Sequence, residues 1–331
     1  MQSLTLTEHT PAPVDPGQVR VSLEAMSLNA RDLLIAMGQS PMPSADEVTP
    51  LSDAAGTVTE VGVGVHRVTP GDRVVVAFNP AHQSGAYEPY MATEAHGELR
   101  PGLLADEAVV DQMALVKLPD TISFEQAACL PCAGVTAWNA LFESGPTRPG
   151  QAALATGTGA VSLIALRLAK AAGLRFGITS SSDAKLEQAE AMGADFGVNY
   201  RANAAWHEPV RDATGGVGAH VVLETAGPAS VATSIKAAAP GGRVAQIGFK
   251  ATDGPPLSLL DMAVGAVSLV PIMVGSRSML QRLVDHVAVN DVVLPIDRTF
   301  DFADAAKAYD ALAEGTAFGK ITITNPGTDR P

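Results

Sequence analysis

The chain has 331 residues, 47% of them hydrophobic and 17% charged, with a formal net charge of −13. That composition suits packed domains rather than a disordered chain, and the length predicts two domains or one inserted in another. The acidic balance excludes a general binder of nucleic acid or anionic membrane; no apolar run is long enough to span a membrane, and the stretch MQSLTLTEHTPAPVD lacks the regions of a signal peptide, so a cytoplasmic protein is expected.

In chain order, Val19–Val21, Gly56–Val61 and Arg73–Ala77 read as strands bounded by Gly, Pro and Asp, with a turn at Thr69-Pro70-Gly71-Asp72. Residues 79–107 lack periodicity and read as one long loop. Ser123 is a helix N-cap, with Gln126 at the capping-box position. Strands and helices then alternate. The strands are Ala152–Ala155, Phe176–Thr179, Phe196–Asn199, Val221–Leu223 and Val244–Ile247. The helices are Ala160–Ala172 closed by Gly173, Asp183–Met192 closed by Gly193, Ala204–Thr214 and Ala229–Ala239. This alternation predicts a parallel sheet covered on both faces. From about residue 293 the pattern reverts, with an amphipathic helix before Gly315 and a closing strand in KITITN.

The most informative motif is Gly157-Thr158-Gly159-Ala160-Val161-Ser162, between a strand and a helix. In that context the first glycine permits a tight turn and the second lets a pyrophosphate approach the backbone, while the helix N-terminus offers free N–H groups. Ser162 replaces the third glycine. The second strand of a unit selective for NAD usually ends in an acid that accepts the ribose hydroxyls. Here it ends in Thr179-Ser180-Ser181-Ser182, with Lys185 one turn on and Tyr200-Arg201 after the third strand. Hydroxyl and cationic donors without an acid favour the 2′-phosphate of NADPH. Asp183 is the counter-argument, read as a first-turn helix acid; Lys185 and Arg201 also suit a solvated surface.

The only cysteines, Cys129 and Cys132, form a C-x-x-C pair with no second pair. They read as small buried hydrophobes rather than a redox or metal centre. His66, His82 and His96 read as surface-loop residues. Tyr87 and Tyr90 lie in the long loop, within reach of a cleft or as ordinary loop aromatics.

The segments SLNARDLL, PLSDAAGTVTEVG, PGDRVV, LPCAGVTAWNAL, GTGAVSLIALRLAKAAG, TSSSDAKLEQAEAMGAD, NYR, PGGRVAQIG and FGKITI, spread over residues 15–324, resemble the medium-chain dehydrogenase/reductase superfamily. Within it they resemble the zinc-free, quinone-oxidoreductase-like branch. The resemblance implies an α/β protein: a GroES-like β-rich catalytic domain (1–122 and 293–331) and a Rossmann doubly wound parallel-sheet domain (123–292), with the active site in the cleft between. It also implies a homodimer, with the strand near Val267–Met273 pairing with its mate. Zinc-dependent relatives carry Cys where this chain has Asn29 and His where it has Ser52; only Cys132 matches a zinc-ligand position, with Asp53 beside the lost His. The four-Cys structural zinc loop is absent, so the resemblance implies a zinc-free protein.

By the same resemblance, Asn29 and Thr136 lie near the nicotinamide. Ile247-Gly248-Phe249 and Met273-Val274-Gly275 line that half of the cofactor, and Phe318-Gly319-Lys320 closes over it. Asn29 also suits a turn cap, and Thr136 a helix-backbone acceptor. Two departures stand out: Ala30 replaces a tyrosine common in relatives, and the N-terminus looks short.

The expected reaction is hydride transfer from NADPH to an electrophilic carbon of a small molecule, a quinone or α,β-unsaturated carbonyl, with Asn29 and Thr136 as candidate donors to the developing oxyanion. Two alternatives stay open. One is a zinc-free carbonyl reductase or alcohol dehydrogenase using Asp32 and Asp53 in a proton relay. The other is an NADPH-binding protein with a non-redox or lost activity.

Overall fold

The structure is a computed structural model that describes residues 4–8, 10, 12–248 and 254–325. Among the described residues the strands are, in chain order, β1 (Gln18–Leu28), β2 (Asp53–Val61), β3 (Arg73–Val76), β4 (Glu107–Asp111), β5 (Leu115–Lys117), β6 (Ala152–Thr156), β7 (Arg175–Ser180), β8 (Phe196–Asn199), β9 (Ala219–Glu224), β10 (Ala238–Gln246), β11 (Ser268–Pro271), β12 (Ile296–Asp301) and β13 (Lys320–Thr324). The chain divides into two compact units. The first comprises Met1–Val135, Gly275–Asp291 and Ile296–Pro331; the second comprises Thr136–Val274 and Val292–Pro295.

The first unit is built on a sheet of order β12-β13-β1-β2-β3-β5, with β4 also paired to β1. β1 alternates strictly at first: Val19, Val21 and Leu23 face the core, where they meet Val74, Leu115, Ile321 and Ile323. The β1–β2 ladder slips register between Leu23 and Ala25. Gly56 is required beside that slip, because a Cβ there would lie 1.9 Å from the Ser22 carbonyl oxygen. Two ladder registers place the functional residues of this unit: Ser27 faces Asp53, and Leu28 faces Ile321. The end of β1 is thereby brought against the first residues of β2 and β13.

The second unit carries a six-stranded sheet of order β11-β10-β9-β6-β7-β8 with every pairing parallel. β6 is buried at all positions, as a strand covered on both faces must be. Leu154 and Val222 are fully buried in its core, each contributing about 2 kcal/mol by area removed from water. The strand order reverses beside β6, and that reversal is where such sheets open a crevice at their carboxyl ends. Arg243 on β10 is 7% exposed, and among the described residues its hydrogen bonds go to carbonyls and hydroxyls. It donates to the carbonyls of Ala140, Leu141 and Pro146 and to Ser144 and Thr147, tying down the end of the π-helix Asn139–Glu143.

Several boundaries differ from those read in the sequence. The division falls after Val135 rather than before Ser123, because the helix Phe124–Ala128 packs on β1 and β2. The helix Arg277–Val289 belongs to the first unit, where Leu283 packs against Gly134. β1 runs to Leu28 rather than ending near Val21, and β10 starts at Ala238, inside the expected helix. The stretch 79–107 is less of a surface loop than its composition suggests. Asn79, His82, Met91, His96, Glu98 and Leu103 are all buried within it. His82 and His96 are thus corrected from surface residues: each ring nitrogen that bonds does so to a backbone carbonyl, of Gly85 and Pro101 respectively. His66 is exposed.

Candidate functional site

In the second unit, β6 ends at Thr156 and the chain turns at Gly157, whose φ of +87° is left-handed. Its N–H is held by the Thr179 carbonyl at 2.9 Å. Thr158 is buried, and Gly159 is the N-cap of the helix Ala160–Ala171. Nothing lies within 4 Å of the place a Gly159 Cβ would occupy. The N–H groups of the first turn, Ala160 and Val161 included, therefore begin at an open approach.

One residue behind this loop was not singled out in the sequence. Glu224 closes β9, is fully buried, and accepts from Thr156 Oγ1 at 2.9 Å, from the Ala226 and Gly227 N–H groups at 2.9 and 3.0 Å, from Ser230 Oγ at 2.7 Å, and from Ser234 Oγ. Thr225 extends the network: its N–H donates to Thr156 Oγ1, its hydroxyl donates to the Thr156 carbonyl, and that hydroxyl lies 3.3 Å from Ser162 Oγ. The loop is thus braced from β9 by a fully satisfied carboxylate, as burial of a charge demands. Ile247 and Gly248 both donate to the Glu224 carbonyl, so these two predicted cofactor-lining residues sit beside the same brace. Phe249 lies outside the described residues.

At the end of β7, Ser180 is buried and its hydroxyl accepts the Ser182 N–H, so its oxygen builds the turn. Ser182 caps the helix Asp183–Ala191 and accepts the Lys185 N–H. Ser181 and Lys185 are half-buried, and Tyr200, 41% exposed, is joined to Ser180 through its own N–H. The exposed Asp183 carboxylate, the acid that argues against a phosphate here, accepts from Asn199 Nδ2 at 2.6 Å. Met273 is exposed. Val274 holds φ at +46°, a strained conformation for a β-branched residue; its carbonyl accepts from Asn139 Nδ2. Thr136 is buried in the helix Val135–Trp138.

In the first unit the two registers assemble a buried polar cluster. Asp53 Oδ2 accepts from Asn29 Nδ2 at 3.0 Å, from the Cys132 N–H at 3.2 Å and from Ser27 Oγ at 3.4 Å; Oδ1 accepts from Ser52 Oγ at 2.9 Å. Lys320 Nζ donates to the Leu28 carbonyl and to Asn29 Oδ1, both at 2.6 Å, and lies 3.8 Å from Asp53 Oδ2. Lys320, in the segment that the resemblance closes over the cofactor, has a fully buried side chain at the start of β13, next to the Leu28–Ile321 pair. Phe318, half-buried, donates its N–H to Asp297.

Asn29 is the N-cap of the helix Ala30–Ala36, and its N–H is taken by the Asp32 carboxylate at 2.7 Å. Burial pushes Asp32 up to about 6, against the pull of Arg31. Arg31 in turn reaches Glu98 at 2.8 Å and stacks over Phe78. Burial likewise pushes the Cys129 thiol up to about 12 and the Cys132 thiol higher still, so neither is a thiolate nucleophile at neutral pH. Neither cysteine is in a disulfide.

The fold and these sites define a Rossmann-type α/β unit together with a GroES-like unit. Residues 15–120 match the alcohol dehydrogenase GroES-like domain family, and residues 160–289 match the zinc-binding dehydrogenase family. A zinc-type alcohol dehydrogenase-like protein of Schizosaccharomyces pombe is 38% identical, over 95% of this chain and 92% of that protein. The crystal structure of a putative alcohol dehydrogenase from Sinorhizobium meliloti 1021 superposes with a TM-score of 0.91 at 35% identity, over 97% of this chain and 95% of that one. An NAD-dependent alcohol dehydrogenase structure follows with a TM-score of 0.84 at 31% identity, over 96% of this chain and 94% of that one. The chain belongs to the medium-chain dehydrogenase/reductase superfamily of oxidoreductases.

The zinc in one family's description does not fit the residues present. A catalytic zinc takes about three thiolate, imidazole or carboxylate ligands. Ser52 is neutral and already donates to Asp53, and the Asn29 amide bridges Lys320 and Asp53, which leaves Cys132 as the one matching ligand. Lys320 brings a positive charge into the same cluster. Among the described residues, no group of three or more His, Cys, Asp and Glu stands ready for a metal.

Proposed function

We propose that the protein is a zinc-independent, NADPH-dependent reductase that delivers hydride to a quinone or an α,β-unsaturated carbonyl. The observation that carries this reading is the buried Lys320–Asn29–Asp53 cluster, built around Asn29, where zinc-dependent relatives carry a Cys, and Asp53, beside the Ser52 that stands in place of their His. Without a Lewis acid there, an acceptor that is already electrophilic is the economical substrate. Bound NADPH supplies the hydride. The loop Gly157–Val161 is assigned to the pyrophosphate, and Ser181, Lys185 and Tyr200 to the 2′-phosphate, an assignment supported by the absence of an acid at the end of β7. Ile247, Gly248, Met273 and Val274 are assigned to the nicotinamide half. Asn29 and Thr136 donate to the oxygen on which charge develops, and water supplies the proton. A second copy pairing along the free edge of β11 completes the unit of function.

The alcohol-dehydrogenase names of the relatives favour a second reading, carbonyl reduction. Oxidation of NADPH and of NADH, measured over quinones, enones and aldehydes in chelator-treated buffer, separates these. NADPH-selective turnover on a quinone or enone that survives chelation is expected. A requirement for added zinc, a preference for NADH, or reduction confined to C=O overturns the corresponding part.

A further inference from the structure

We propose that Lys320 is a positioning residue that fixes and polarises the Asn29 side-chain amide, making its second Nδ2 proton the hydrogen-bond donor to the developing oxyanion. The inference rests on the reading of Asn29 as a substrate-facing group.

The amide sits between opposite charges. Lys320 Nζ donates to Asn29 Oδ1 at 2.6 Å, while Asn29 Nδ2 donates to Asp53 Oδ2 at 3.0 Å. An ammonium has only donors and a carboxylate only acceptors, so the amide has one permitted orientation. The ammonium contacts the amide oxygen rather than the carboxylate, from which it stands 3.8 Å away. This is not simply a buried ion pair with a bystander between. The bond to Oδ1 draws electron density toward oxygen and leaves the Nδ2 protons more acidic, an effect enlarged along a chain of hydrogen bonds in a low-dielectric interior.

Asn29 Nδ2 carries two protons, and among the described residues only the bond to Asp53 is made. The side chains of Lys320 and Asp53 are fully buried, whereas Asn29 keeps 8% of its surface exposed. Of the three residues Asn29 keeps the most surface, and the proposal assigns the ligand contact to it. The cap at Asn29 uses its N–H, taken by Asp32, and acceptor oxygens; the Nδ2 group, a donor only, has no part in it. β13 is paired to β1 through Leu28 and Ile321, which fixes the ammonium against the strand that carries the amide.

The test is a double-mutant cycle with menadione as the probe acceptor. Lys320→Met should lower kcat about 10-fold with the cofactor KM unchanged, short of the roughly 10²–10³-fold lost with an oxyanion donor itself. In an Asn29→Ala background the same substitution should change kcat less than about 2-fold, because its route of action is gone. Equal losses in both backgrounds overturn the proposal. Lys320→Met strands the Asp53 charge, so Lys320→Met with Asp53→Asn, which removes both charges, should show the same dependence on Asn29.

A second readout does not need turnover. The Asn29 side-chain amide signals, identified in ¹⁵N NMR by their loss in Asn29→Ala, should show two widely separated protons that converge in Lys320→Met. Signals that do not move overturn the proposal. Failure to turn over any acceptor, with the NMR response intact, overturns the proposed reaction and leaves the positioning role standing.

Discussion

Asp32 accepts the Asn29 N–H and faces Arg31, yet its pKa rises from an ordinary 3.8 to about 6 because burial penalises the charged form. The native state therefore holds the proton more tightly than the unfolded chain. This contribution to stability is fully present below pH 3.8 and is lost as pH rises through about 6, a difference of about 3 kcal/mol. Asp32→Asn keeps an acceptor for Asn29 but cannot ionise. Its stability relative to the parent should rise between pH 4 and pH 7, as read from paired urea midpoints. The comparison cancels the titration of every other carboxylate. A difference that stays constant across that window would show that Asp32 does not titrate there. None of this was visible in Asn29-Ala30-Arg31-Asp32 as letters, since the shift depends on Asp53, Lys320 and the burial that distant strands impose.

The strand–loop–helix from Ala152 to Ala171 was legible because its signals are local. A run of small apolar residues, two glycines and a small residue after each dictate the turn without help from elsewhere. The two glycines nonetheless do different work. Gly157 needs its φ of +87°, so Gly157→Ala should cost about 1–2 kcal/mol of stability. Gly159 has φ −80°, which any residue adopts, and open space at its Cβ position. The fold does not require that glycine. Gly159→Ala should therefore change stability by less than about 1 kcal/mol while weakening NADPH binding severely. Thermal melts alongside fluorescence titration of the cofactor decide it, and unchanged affinity in Gly159→Ala would remove the pyrophosphate from this loop. Other elements were less readable. The helix Arg277–Val289 has a capping Ser276 and buried Leu280, Leu283, Val284 and Val287 at helical spacing, a signal masked by the apolar run preceding it. β4 and β5 are too short for a period to declare itself, and they exist because β1 and β3 offer partners.

Across the whole molecule, what the sequence withheld was pairing at long range. Lys320 and Asn29 are nearly the length of the chain apart, and only the β1–β13 register makes them neighbours. The buried Glu224 needed β6 and β9 side by side before its donors existed. The helix Leu259–Gly265 buries none of its residues, and its Leu259, Leu260 and Val264 are 77%, 71% and 79% exposed. The strand that follows it, β11, is the last in its sheet order and, among the described residues, has no strand paired along its outer edge. An exposed apolar helix that leads into an edge strand offers a surface that a second copy would cover, pairing β11 with β11. The formal charge of −13 on each copy opposes that approach, and salt relieves the opposition as the Debye length falls to about 8 Å at physiological ionic strength. Light scattering should give twice the chain mass at micromolar concentration, with the dimer fraction rising with salt. Leu260→Lys combined with Val264→Lys should yield a folded monomer, because charges on exposed positions disturb the contact and not the core. A parent protein that is monomeric at every salt concentration would leave those leucines and that strand edge to some other partner.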